Sequence, residues 1–128
     1  MRSRILCISG RPDGARTLSQ MLHSLPMSLE MAETVQQARA LLSQRRYDVV
    51  LTDSSLADGD WRDVLDVIRE SPHEAQLVVT DAHADERLWS EALNLGAYDL
   101  VAQPFYEPEV RRILSNACSR EVPSMAAS

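Results

Sequence analysis

The sequence predicts an α/β domain: a parallel five-stranded sheet, doubly wound, with helices on both faces. Two observations carry this prediction. Short apolar runs alternate five times with segments whose apolar residues recur at helical spacing. The third run, Val49-Val50-Leu51, is continuously apolar, which suits a strand buried on both faces. Repeated strand–helix order calls for right-handed crossovers and therefore for parallel strands. At 128 residues the chain can enclose one core and not two. Residues 1–120 are assigned to this domain and 121–128, small and polar, to a flexible tail.

The elements follow in order. Ile5 to Ile8 reads as a buried strand closed by the loop Ser9-Gly10-Arg11-Pro12. Ala15, Leu18, Met21, Leu22 and Leu25 mark a helix that Pro26 stops, and Ser28 to Met31 forms a short second strand. Thr34 is placed to cap a helix carrying Val35, Ala38, Leu41 and Leu42, with Arg45-Arg46 suited to its C-terminus. Tyr47 to Asp53 is the third strand, and Ala57-Asp58-Gly59-Asp60 supplies a turn and a cap for the helix with Trp61, Val64, Leu65 and Ile68. Gln76 to Asp81 is the fourth strand. Asp85 caps a helix with Leu88, Trp89, Ala92 and Leu93 on its core side, ended by Gly96. Tyr98 to Ala102 is the fifth strand, and Val110, Ile113, Leu114 and Ala117 mark the last helix.

Composition excludes several classes. Hydrophobic residues are 45% and charged residues 25%, close to globular averages. The apolar runs are far too short to span a bilayer, and Met1-Arg-Ser-Arg leads directly into a strand without a signal-peptide core, so no membrane association and a cytoplasmic location are expected. Net charge is −6 with no basic stripe, which disfavours direct nucleic-acid binding. Cys7 and Cys118, without a C-x-x-C spacing, are expected to be buried and reduced.

In open parallel sheets ligands bind beyond the carboxyl ends of the strands. The residues there are Ser9, Gly10, Asp53, Asp81 and Gln103. Ser9 to Gly14 is too poor in glycine, and lacks the lysine, for a Walker-type phosphate loop. His83 and Asp85 are metal-ligand types without a third partner nearby in sequence, and Asp13 reads as a helix-terminal charge.

The phrase Tyr47-Asp-Val-Val-Leu-Thr-Asp53-Ser-Ser-Leu-Ala-Asp-Gly59, the Gly96-Ala97 pair and Pro104-Phe105 resemble a response-regulator receiver domain, from about Arg4 to Cys118. The resemblance implies a flavodoxin-like sheet of order 2-1-3-4-5. It also implies that Asp53 takes a phosphoryl group from a partner histidine kinase, next to Mg²⁺ held by an acidic pair after the first strand, and that Gln103-Pro104 is cis.

Several positions depart from the family pattern. Ser9 and Gly10 stand where the acidic pair would be, and they offer Mg²⁺ no carboxylate, so no metal or other cofactor is expected beyond weak Mg²⁺ at Asp53. The family's Ser or Thr after the fourth strand is matched without a gap by Asp81, and by Thr80 only if the register slips by one. Two carboxylates at about 4 Å would repel by roughly 4 kcal/mol at an effective dielectric of about 20. Gln103 replaces the family's lysine and Leu100 its aromatic switch residue. Arg11 is positioned to fold over the site and pair with Asp53 or Asp81. Trp89, Leu95, Tyr98 and Tyr106 fall on the fourth-helix, fifth-strand, fifth-helix side used for partners or homodimers in the family, with Trp89 assigned chiefly to the core and Tyr106 to contact.

The expected function is therefore a two-component, phosphorelay-type receiver of pseudo-receiver character. It acts by binding a histidine kinase or downstream effector and is no enzyme beyond self-phosphorylation and dephosphorylation at Asp53. Two alternatives are a working phosphoacceptor at Asp53 and a flavodoxin-like binder of a small molecule or anion.

Overall fold

The computed structural model describes residues 2–119, so the expected tail at 121–128 lies outside the described residues. Five parallel strands form one sheet: β1 (Ser3–Ile8), β2 (Met27–Ala32), β3 (Val49–Asp53), β6 (Gln76–Asp81) and β7 (Asp99–Ala102). Their order is β2-β1-β3-β6-β7, equivalent to the expected 2-1-3-4-5. Between β3 and β6 lies a small antiparallel pair, β4 (Ser55–Leu56) with β5 (Gly59–Asp60), where sequence reading saw only a turn.

The helices are α1 (Pro12–Leu22), α2 (Val35–Gln44), α3 (Trp61–Glu70), α4 (Glu86–Leu95) and α5 (Glu107–Ser119). Strand alternation divides the core in two. Leu6, Ile8, Val50, Leu77 and Val79 pack with Trp61, Val64 and Ile68 on one face, while Ile5, Cys7, Leu51, Val78 and Val101 pack with Leu18, Val110 and Leu114 on the other. Because the middle residues of the central strands are apolar and buried on both faces, the sheet is sealed and the strand ends are left for chemistry.

Local signals set the boundaries. Thr34 Oγ1 accepts the Gln37 N–H, Asp85 accepts the Leu88 N–H, and Gly96 closes α4 at φ 116°, a left-handed conformation that a side chain would strain. Asp60 caps α3 and is reciprocated by Asp63 in a capping box. The Gln103-Pro104 bond is cis.

Some expectations need correction. The first helix ends at Leu22, not Leu25, because Ser3 N–H bonds Pro26 O and draws the chain into β2 early. Tyr47 precedes its strand; its hydroxyl donates to Glu30 at 2.6 Å, joining Arg45 and Arg4 around that carboxylate. Burial and the Glu30 hydrogen bond push the Tyr47 phenol up to about 12. Trp89 is 46% exposed and not a core residue, since Ala92 alone is buried on α4. Of the two cysteines only Cys7 is buried, and Cys118 is half-buried. No helix among the described residues is long and apolar enough to cross a membrane.

Candidate functional site

Four strand ends converge, and their side chains follow from strand alternation. Ser9 continues the face of Cys7, Asp53 that of Leu51, Thr80 that of Val78 and Gln103 that of Val101. All four line one cleft on the α1/α5 side, of about 510 Å³, together with Arg11. A second cleft of about 450 Å³ lies toward α3 and α4 and adds Ser54, Asp81 and His83 to Asp53.

Asp53 is half-buried, and its Oδ2 accepts a hydrogen bond of 2.8 Å from Ser9 Oγ. Ser9 is itself 7% exposed and accepts the Arg11 N–H at 3.0 Å, so the loop after β1 folds back onto its own hydroxyl. Gly10 is exposed beside it. Thr80 is the direct neighbour of Asp53 across the sheet, is 3% exposed, and has no protein hydrogen-bond partner for its hydroxyl. Cys7, deeper in the same cleft, has its thiol pushed up to about 12 by burial and then by the Asp53 charge. It stays a thiol at neutral pH and is a poor nucleophile.

Asp81 ends β6 opposite Ala102, and the Gln103 N–H donates to its carbonyl at 3.1 Å. Its side chain, however, follows Leu77 and Val79 toward the other face of the sheet. There it accepts hydrogen bonds from the Ser54 hydroxyl and the His83 N–H. The expected confrontation of two bare carboxylates is thus replaced by two carboxylates with separate donors. A shift of one residue moves a side chain to the opposite face, which is why Thr80 and not Asp81 sits beside Asp53.

The expected Arg11 clamp is not formed. Arg11 is exposed and makes no ion pair with Asp53 or Asp81, while its backbone N–H and carbonyl bond the Ser9 hydroxyl. Sequence reasoning also missed Ser54, whose only signal was a hydroxyl adjacent to Asp53.

Mg²⁺ prefers octahedral oxygen ligands with one or two carboxylates; the cleft offers the Asp53 carboxylate, whose Oδ2 accepts from the Ser9 hydroxyl, with Gly10 beside it and Asp13, in the first turn of α1, also in its lining. Among the described residues no three His, Cys, Asp or Glu side chains group to hold a metal. His83 with Asp85 forms no such group, and Asp85 is used as the α4 cap.

Trp89, Leu95 and Tyr106 are exposed, and Tyr98 is half-buried against the α1/α5 core.

The domain is thus doubly wound, with Asp53 ending its central strand between the Ser9 hydroxyl and the Gln103 amide. The sequence profile described as response regulator receiver domain matches residues 5–115, and the chain belongs to that family. It is a receiver domain of the kind found in two-component systems. The response regulator protein PilR of Pseudomonas aeruginosa is 26% identical over 116 residues, covering 91% of this chain and 26% of PilR. The photosynthetic apparatus regulatory protein RegA of Rhodovulum sulfidophilum is 30% identical over 89 residues, covering 70% of this chain and 49% of RegA. The chain therefore spans from about a quarter to about half of these curated relatives. Among solved structures, the signal receiver domain of an HD domain-containing protein from Pseudomonas fluorescens superposes with TM-score 0.82 at 26% identity, covering 93% of this chain and 96% of that one. The receiver domain of a sensor histidine kinase from Pseudomonas aeruginosa, described with a magnesium ion in its active-site cleft, gives TM-score 0.81 at 25% identity, covering 93% and 99%.

Proposed function

We propose that this receiver domain signals through protein contacts and has lost efficient Mg²⁺-dependent phosphotransfer at Asp53. The hydrogen bond from Ser9 to Asp53 carries this reading: a hydroxyl and Gly10 occupy the place of an acidic metal-binding pair. Gln103 adds only an uncharged amide where a lysine would offset phosphoryl charge. A phosphoryl group on Asp53 would bring about −2 of charge into a cleft without a fixed counter-ion.

The partner is a histidine kinase or a downstream effector, docking on the α4–β7–α5 side, where Trp89 (46%), Leu95 (41%) and Tyr106 (66%) are exposed. A homodimer through that same side is the alternative occupant. Neither nucleic acid nor a membrane is needed, and the domain performs no chemistry beyond its own Asp53.

The test is an amide NMR titration with beryllofluoride and Mg²⁺. Resonances of Asp53, Thr80 and Gln103 are expected to stay in place through millimolar Mg²⁺. A saturable, Mg²⁺-dependent shift centred on Asp53 would overturn the proposal and establish a working phosphoacceptor.

A further inference from the structure

Apart from the two clefts around Asp53, a third hollow of about 520 Å³ opens where the N-terminal end of α4 faces β7 and α5. Its accessible apolar surface is the Trp89 side chain, 46% exposed, with exposed Ala102 and half-buried Ala84 beside it. Four carboxylates line the hollow, on Asp85, Glu86, Asp99 and Glu109, against one guanidinium, on Arg112. Asp85 and Asp99 accept the backbone N–H groups of Leu88 and Leu100. Among the described residues, however, no ion pair reaches any of the four carboxylates, and Arg112 makes none. The two tryptophans differ in the same way. The Arg62 guanidinium lies over the Trp61 ring, 4.8 Å from its centre, and among the described residues no cation stands over Trp89.

We infer that this hollow receives an arginine side chain of a partner protein, set beside an apolar residue of the same segment. A guanidinium stacks on an indole face and pairs with carboxylates through its planar fork, and the hollow offers both surfaces together. The neighbouring apolar side chain covers Ala84, Ala102 and the rim of Trp89. Charge decides against the other occupants. A two-fold contact pairs a patch with itself, so a second copy would set its own four carboxylates against these four, with only one Arg112 from each side. An acidic segment meets the same repulsion. The carboxylates do not make a metal site either, since no three ligand-type side chains group to hold an ion among the described residues. This rests on the reading above that the α4–β7–α5 side docks a protein, and it adds the chemistry of that partner.

The experiment is an NMR titration of the isotopically labelled full chain with a short acetylated peptide of alternating arginine and leucine, read at the Trp89 indole N–H. Lysine–leucine and glutamate–leucine counterparts are run alongside. Saturable shifts of the Trp89 indole and of the amides at 84–89, 99–102 and 109–113 are expected with the arginine peptide, with weaker binding by lysine and none by glutamate. Affinity should fall several-fold as NaCl rises from about 0.05 M to about 0.5 M. Trp89→Ala is expected to weaken binding about fivefold, the scale of a cation–π contact. Glu86→Gln combined with Glu109→Gln should weaken it by a similar factor and flatten the salt dependence. Arg112→Ala removes the one competing cation and should tighten binding about twofold, a gain that a poorly folded variant could not give. Shifts centred away from Trp89, equal binding by the lysine or glutamate peptide, wild-type affinity in Trp89→Ala, or no gain in Arg112→Ala would overturn the inference. The beryllofluoride titration reads Asp53 and this one reads Trp89, so the partner chemistry can fail while the signalling reading stands.

Discussion

Two carboxylate-bearing regions flank the C-terminal end of β3, and they use the same side chain in opposite ways. In the loop from Asp58 to Asp63, every aspartate is tied to backbone amides. Asp58 accepts the Val35 and Gln36 N–H groups at 2.8 and 3.1 Å, and Asp60 accepts those of Arg62 and Asp63 while Asp63 returns a bond to Asp60 N–H. Asp53 by contrast receives one hydroxyl, from Ser9, and sits next to a threonine with no partner. The loop fixes helices, and the cleft keeps acceptor capacity in hand. Carboxylates engaged by several amides are committed to the fold, and one engaged by a single hydroxyl keeps acceptor capacity for a ligand or partner.

The largest expected effect breaks the fixed side. Trp61 begins α3 immediately after the capping box, is 2% exposed, and donates its N–H to Ser54 O at 3.0 Å, tying α3 to the end of β3. Trp61→Ala should destabilise the domain by about 3–5 kcal/mol, from lost burial and a residual cavity. Denaturant unfolding monitored by circular dichroism measures it; a loss below about 1 kcal/mol would mean that this core can collapse around the gap.

A smaller effect tests the contrast directly. Asp60→Ala removes a helix cap and should cost about 1 kcal/mol. Asp53→Ala should cost less, since it removes one contact at a cleft wall and no helix-terminal partner. Equal losses in paired urea melts would erase the distinction between the two regions.

Much of the fixed side was legible in the sequence, because it is built from local signals. Thr34, Asp60 and Asp85 stand just before helical patterns, and Gly96 just after one. The cleft was legible only in outline. Its membership followed from strand ends, but the bond between Ser9 and Asp53 joins residues 44 apart, and no local pattern encodes it. The neighbour of Asp53 depends on strand register, so Asp81 and Thr80 could not be separated until the sheet paired Asp53 with Thr80. Trp89 misled for another reason: helical spacing places it beside core positions, yet Ala92 is the buried residue of that helix. Asp58 was read as part of a turn, whereas it also serves as a remote cap for α2, 22 and 23 positions back along the chain.

That remote cap gives the smallest prediction, and it is one of pH. Hydrogen bonds from the Val35 backbone, then from Gln36, hold the Asp58 carboxyl below its ordinary value of 3.8. The folded state therefore binds the Asp58 proton less readily than the unfolded chain does, and the unfolded state carries more protons wherever the two differ. Stability from this group is fully present above the unfolded-state value of about 4 and is lost as pH falls through the folded one. Asp58→Asn retains an oxygen acceptor but cannot titrate. Melting temperatures followed from about pH 6 to about pH 2.5 should fall less steeply below about pH 4 in the variant than in the wild type. Parallel curves would mean that the α2 amides do not distinguish the ionised from the protonated carboxyl, and that the loop is held by its backbone path alone.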